Sequence, residues 1–151
     1  MTSFLVDNLG DVSNLTKLNN AAIQAVVETL EKFGINKMAV KWPNDIYVED
    51  KKIAGILIEN VVSEQEIKTA VVGVGINVNQ QKFVDIAATS VYNELGKQVN
   101  LIEFLYVALQ AAIQSSSFKS NKRIYLLICP RVLSPTPTVP LNFDSTRVIS
   151  K

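Results

Sequence analysis

The chain has 151 residues, 48% of them hydrophobic, which is enough to bury one ordinary core and too little for two large domains. Fifteen Lys and Arg against fourteen Asp and Glu give a formal charge of +1. There is no histidine and a single cysteine, Cys129, so a Ser-His-Asp triad, the usual Cys/His zinc sites and an internal disulfide are excluded. Chemistry has to rest on Lys, Asp, Glu, Asn and backbone groups.

The total charge hides a division. Residues 1–103 hold 13 acids and 9 lysines, whereas residues 104–151 hold one acid and six bases, including all three arginines. Those bases are scattered rather than striped, and no helix-turn-helix pattern opens the chain, so DNA binding is not expected. No apolar run approaches the roughly 20 residues of a membrane-spanning helix. No charged-then-apolar leader precedes the first helical pattern. A cytoplasmic protein without membrane attachment is expected.

Ser13 or Asn14 can cap a first helix in which Leu15, Leu18, Ala22, Val26, Leu30 and Phe33 recur at helical spacing, and Gly34 supplies its stop. From Met38 to Trp42 the side chains alternate, putting Met38, Val40 and Trp42 on one strand face and Ala39 and Lys41 on the other; Pro43 ends that ladder. Ile46–Val48 and Ile53–Ile58 flank the charged turn Glu49-Asp50-Lys51-Lys52 and predict a hairpin. A further strand, about Ile67–Val78, follows the polar turn at Ser63-Glu64-Gln65. Strands joined by short polar turns favour an antiparallel meander over crossover units. A short helix is expected from Thr89 or Ser90 to Leu95, stopped by Gly96, and a longer one from about Leu101 to Ile113. Beyond Gln114 come Ser115-Ser116-Ser117 and four of the five prolines. The expected organisation is therefore a domain over 1–114 and a loosely attached Pro/Ser-rich tail over 115–151, in which Ile124–Ile128 alone has strand character.

Three stretches carry candidate chemistry. Lys41, between Val40 and Trp42, is drawn toward a partly buried position, where an ammonium needs an anion or several acceptors; for an isolated lysine, a packed stem with a solvated amine would be the plainer reading. Asn44 and Asp45 follow Pro43 at the strand end, where ligand groups are commonly presented, although ordinary turn chemistry also explains them. Gly55 weakens a β-branched run and asks for either a bulge or close approach of a ligand. Gly73-Val74-Gly75-Ile76-Asn77 is not a dinucleotide loop, because Val78 stands where the third glycine belongs and no helix opens after it. Its two alternate glycines instead leave one strand face bare for a flat ligand, with Asn77 at the rim.

Lys-Trp-Pro-Asn-Asp at 41–45, Lys-Ile-Ala-Gly-Ile-Leu-Ile-Glu at 52–59 and Gly-Val-Gly-Ile-Asn at 73–77, in this order, resemble the central part of the catalytic domain of biotin protein ligases. The likeness extends over about residues 15–113 and includes Ala88-Thr89-Ser90. It implies an α+β fold with a mixed, mostly antiparallel sheet and helices on one side, as in the class II synthetase-like core of the biotin/lipoate ligases. It implies an ATP- and magnesium-dependent enzyme that forms biotinyl-5′-AMP and passes biotin to a lysine of a carboxylase carrier domain. Lys41 takes the catalytic role by resemblance, and Asn44 and Asp45 the nucleotide side. Ala54 and Gly55 would offer backbone hydrogen bonds along biotin, and Gly73, Gly75 and Asn77 would accommodate the ligand and read the adenine. No protein metal ligands are assigned. The family's Gly/Arg-rich loop and its C-terminal barrel-like module are not recognisable here, so a partial domain with impaired activity is expected. The alternatives are a lipoate or octanoate ligase or transferase, and a non-catalytic fragment that binds a carrier or pairs as a homodimer through an open sheet edge.

Overall fold

The computed structural model of the chain describes residues 2–63, 66–84 and 86–114, together with the backbone of Ile124–Ile128. A ten-residue strand β1 (Thr2–Asp11) leads into helix α1 (Asn14–Lys32), followed by β2 (Met38–Lys41), β3 (Asp45–Val48), β4 (Lys51–Ser63) and β5 (Glu66–Ile76). Two helices, α2 (Val91–Leu95) and α3 (Leu101–Gln114), and a last strand β6 (Ile124–Ile128) complete the described elements. The strands form one sheet in the order β2-β3-β4-β5-β1-β6. All five pairings are antiparallel. The meander expected from the short polar turns is β2 to β5.

The first strand was not expected from the sequence. Asn8 and Gly10 have positive φ (55° and 74°), and the pairing of β1 with β5 shifts between Asp7 and Gly10. That irregularity breaks the two-residue alternation by which a strand is read. Within the segment read as a tail, the strand character of Ile124–Ile128 is realised as β6 against β1, Thr2 opposite Ile128 and Val6 opposite Ile124. The rest of that segment lies outside the described residues.

Helix α1 has the expected extent, but its N-terminus is built differently. Neither Ser13 nor Asn14 caps it through a side chain. The Asp11 carboxylate instead accepts the Ser13 N–H at 2.8 Å, and Asn14 Nδ2 donates to the Leu9 carbonyl at 2.9 Å. At the other end Phe33 and Gly34 N–H groups donate back to Leu30 and Glu31, with Gly34 at φ 94°. The apolar stripe of α1 (Leu18, Ala22, Val26, Leu30) packs on one face of the sheet against Val6, Ile46, Ile53, Ile56, Ala70 and Val72. Phe33 meets Phe104 of α3 with ring centroids 4.8 Å apart, which carries the helical layer outward. Both described faces of this architecture follow from strand alternation: one set of side chains lies under the helices, and the other is left open.

Candidate functional site

The strand registers bring the sequence-predicted residues into one row. Residues directly opposite on antiparallel strands project from the same face. Lys41 of β2 faces Asp45 of β3, Asp45 faces Gly55 of β4, and Gly55 faces Gly75 of β5. One row on the open face thus reads Lys41, Asp45, Gly55, Gly75, spanning roughly 14 Å at the usual strand spacing. The next row holds Leu57, Gly73 and Ser3, from β4, β5 and β1. Residues separated by 32 positions in sequence, Lys41 and Gly73, thus share one face of the sheet.

At one end of the row the side chains are charged. Lys41 is exposed, which corrects the expectation of a partly buried amine: β2 is the sheet's edge strand, and only Met38 of its four residues is half-buried. The Lys41 Nζ stands 5.3 Å from the centroid of the Tyr47 ring, over its face. Its cross-strand neighbour Asp45 is bound elsewhere, with Oδ1 2.6 Å from Lys52 Nζ and the two side chains 25% and 41% exposed. Among the described residues no carboxylate lies within ion-pair distance of Lys41. Trp42 is not on the Met38–Val40 face of a strand, because β2 ends at Lys41; it is 83% exposed beside a cis Trp42–Pro43 bond.

A bulge sets up the ion pair. Ile46 faces Ala54, but Tyr47 faces Lys52, so Ile53 is an extra residue in β4. Ile53 and Ala54 are consequently both buried, whereas regular alternation in a sheet with one open face would expose one of them. The changed phase turns Lys52 onto the open face, where it reaches Asp45. A Cβ placed on Gly55 would come within 3.0 Å of Lys52 Cε and 3.1 Å of both Asp45 Oδ1 and Lys52 Nζ. Sequence alone offered a bulge or a ligand as the reason for Gly55. The protein's own ion pair is a third reason, and the bulge lies two residues earlier.

Gly73 and Gly75 differ from Gly55. Among the described residues, a Cβ at Gly75 would find nothing nearer than the Gly55 carbonyl at 3.8 Å, and one at Gly73 the Leu57 carbonyl at 3.6 Å. Both are ordinary contacts, so packing within the chain does not demand glycine at either position. The bareness that they create is on the open face.

The two asparagines hold backbone. Asn44 Nδ2 donates to the Ile56 carbonyl at 2.7 Å while the Ile56 N–H donates to the Asn44 carbonyl at 2.9 Å, which ties the start of β3 to β4. Asn77 Nδ2 donates to the Thr89 carbonyl at 3.0 Å, and its main chain bonds Ile53 and Val91. The Ala88-Thr89-Ser90 element is thereby docked on β4: the Lys52 N–H donates to the Ala87 carbonyl and the Thr89 N–H to the Lys52 carbonyl. Thr89 and Ser90 are buried, Thr89 donating to Glu94 Oε1 and Ser90 to the Gln80 carbonyl. Ser90, one of the two starts expected for this helix, caps α2 by accepting the Asn93 N–H at 3.2 Å, and Gly96 ends it, as expected, at φ 69°. The Ala54 side chain lies in the core, and its backbone, the part expected to meet biotin, is opposite Ile46 on one side and Ile76 on the other. Lys52 and Tyr47 are members of the surface that sequence reasoning missed: Tyr47 shares the face of Asp45 by simple alternation along β3, whereas the place of Lys52 depends on the bulge, which leaves no local signal in the sequence.

A model of the Biotin/lipoate A/B protein ligase family matches residues 1–77, and the chain belongs to that family. It is 37% identical over 90 residues to the bifunctional ligase/repressor BirA of Bacillus subtilis, a match that covers 56% of this chain and 27% of that protein. It is 31% identical over 111 residues to the biotin–[acetyl-CoA-carboxylase] ligase of Paracoccus denitrificans, covering 66% of this chain and 46% of the relative. The biotin protein ligase of Aquifex aeolicus in complex with biotin and ATP superposes with a TM-score of 0.59 at 32% identity, over 71% of this chain and 46% of that one. The chain spans less than half the length of these relatives. Among the described residues, no helix is long and apolar enough to cross a membrane.

Proposed function

We propose that this chain forms the biotin- and adenylate-binding core of an ATP-dependent biotin protein ligase. The observation that carries the reading is the row Lys41, Asp45, Gly55, Gly75, which joins an ammonium without a carboxylate partner among the described residues to a bare, apolar-edged floor. A largely uncharged bicyclic ligand lies flat on such a floor, and its carboxylate meets the cation at the row's end. The names of the relatives support the choice of biotin.

In the proposed reaction a biotin carboxylate oxygen attacks the α-phosphorus of ATP, the new P–O bond forms, and the α–β anhydride bond breaks with loss of pyrophosphate. An amine of the carrier domain's lysine then attacks the acyl carbon, forming the amide and releasing AMP. Lys41 holds the carboxylate against the phosphate and offsets charge that builds on the phosphate oxygens. Gly73 and Gly75 leave space for the ligand, Asn77 fixes the docked segment 87–91 beside it, and Asn44 fixes the turn that follows Lys41. Asp45 acts through Lys52, and Ala54 sets the phase of β4 from the core side. A ligand reaches Gly55 across the sheet face, since β4 has a strand on either side. Among the described residues no group of three or more Asp, Glu or Cys is placed to hold a magnesium ion.

Isothermal titration of the chain with biotin and with a non-hydrolysable biotinyl-adenylate analogue tests the reading. Saturable heat is expected, and Lys41→Ala is expected to remove it; no heat above dilution at millimolar ligand sinks the proposal. Because the family model covers biotin and lipoate ligases together, lipoate or octanoate is the second reading, and competition against biotin separates the two. Sedimentation that rises with concentration, without any ligand heat, would instead favour a carrier-binding or self-pairing role.

A further inference from the structure

Lys41 and Asp45 are directly opposite on β2 and β3 and share a face, the arrangement in which opposite charges normally pair. They do not pair here: Asp45 Oδ1 is 2.6 Å from Lys52 Nζ, and Lys41 lies over Tyr47. Two cations therefore compete for one carboxylate, and the bulge at Ile53 together with the missing Cβ at Gly55 decides the contest for Lys52. We infer that Lys52 is a positioning residue whose function is to occupy Asp45, so that the Lys41 ammonium stays available to an anionic ligand group. The inference rests on the biotin-ligase reading for the identity of that ligand, but the competition itself is a property of the protein alone.

The physical cost of losing this arrangement is clear. An ammonium already paired to a carboxylate has its charge offset and one donor taken, and the carboxylate repels an incoming anion, so the second anion binds more weakly. Lys52→Met keeps an unbranched stem in the same space and removes the charge. Lys41 should then leave the Tyr47 ring for Asp45, and biotin should bind about tenfold more weakly, the loss of one charge-assisted contact.

The test has two arms on the full chain. In the first, NMR follows the Lys41 ε-methylene protons, which the Tyr47 ring current displaces. They should move toward ordinary lysine positions in Lys52→Met and return in Lys52→Met/Asp45→Asn. In the second, titration with biotin should give weakened binding in Lys52→Met and recovery to within about threefold of the parent in the double variant. A merely structural ion pair predicts the opposite, since removing both partners does not repair a lost bridge. Unchanged Lys41 protons and unchanged affinity in Lys52→Met overturn the inference while the biotin reading stands. Failure of the parent to bind biotin overturns the biotin reading, and the first arm still decides the competition.

Discussion

The two faces of the sheet follow opposite rules. Under the helices, Val6, Ile46, Ile53, Ile56, Ala70 and Val72 are buried against α1, and each is held by its neighbours. On the open face, Leu57 and Val61 are more than half exposed, Gly73 and Gly75 carry no side chain that packing would forbid, and the charged groups sort themselves by pairing. The covered face explains why the chain folds. The open face contains features that folding alone does not require, and those are where function is sought.

The difference can be broken first by truncation. Ile53→Ala on the covered face should cost about 2–5 kcal/mol in urea unfolding, through lost transfer energy and the cavity left behind. Leu57→Ala on the open face should stay within about 0.5 kcal/mol of the parent. Equal losses would contradict the division. Adding bulk sharpens it: Gly75→Val should leave the midpoint of unfolding nearly unchanged yet weaken biotin binding at least about tenfold, because the side chain fills ligand space rather than protein space. Unchanged biotin affinity would remove Gly75 from the site.

Gly55 tests the boundary between the two rules. Gly55→Ala meets only the far ends of Lys52 and Asp45, which can give way, so stability should fall by no more than about 1 kcal/mol. The ion pair should nevertheless be displaced, and Lys41 should leave the Tyr47 ring, as is expected of Lys52→Met. The smallest effect concerns the start of α1. Hydrogen bonds from Ser13, side chain first and backbone second, lower the Asp11 pKa below its ordinary value. A carboxylate lowered on folding contributes stability that is complete above its unfolded pKa and is lost as pH falls through the folded one. Asp11→Asn should therefore flatten the acid limb of a pH–stability curve slightly and leave neutral pH almost untouched.

Much of the covered face was legible in the sequence. The α1 stripe, the hairpin around Glu49-Asp50, the end of α2 at Gly96 and the extent of α3 all come from local periodicity and stop signals, which need no tertiary knowledge. β1 escaped because Asn8 and Gly10 interrupt its alternation. The strand registers gather Lys41, Asp45, Gly55 and Gly75 in one row, but three of the local reasons behind the candidate residues were not legible in the sequence. Lys41 is exposed because β2 is an edge, which depends on strand order. Gly55 is tied to Lys52 and Asp45, which only the bulge brings together. Asn44 and Asn77 commit their Nδ2 groups to backbone carbonyls 12 residues away in sequence, Ile56 and Thr89.

The claim that the open face is the ligand surface is tested most directly by backbone amide shifts during titration of the full chain with biotin. Shifts concentrated at Lys41, Gly55, Gly73 and Gly75, fading toward the α1 and α3 amides, are the predicted result. Shifts confined to the helical layer, or none at saturating biotin, would contradict it.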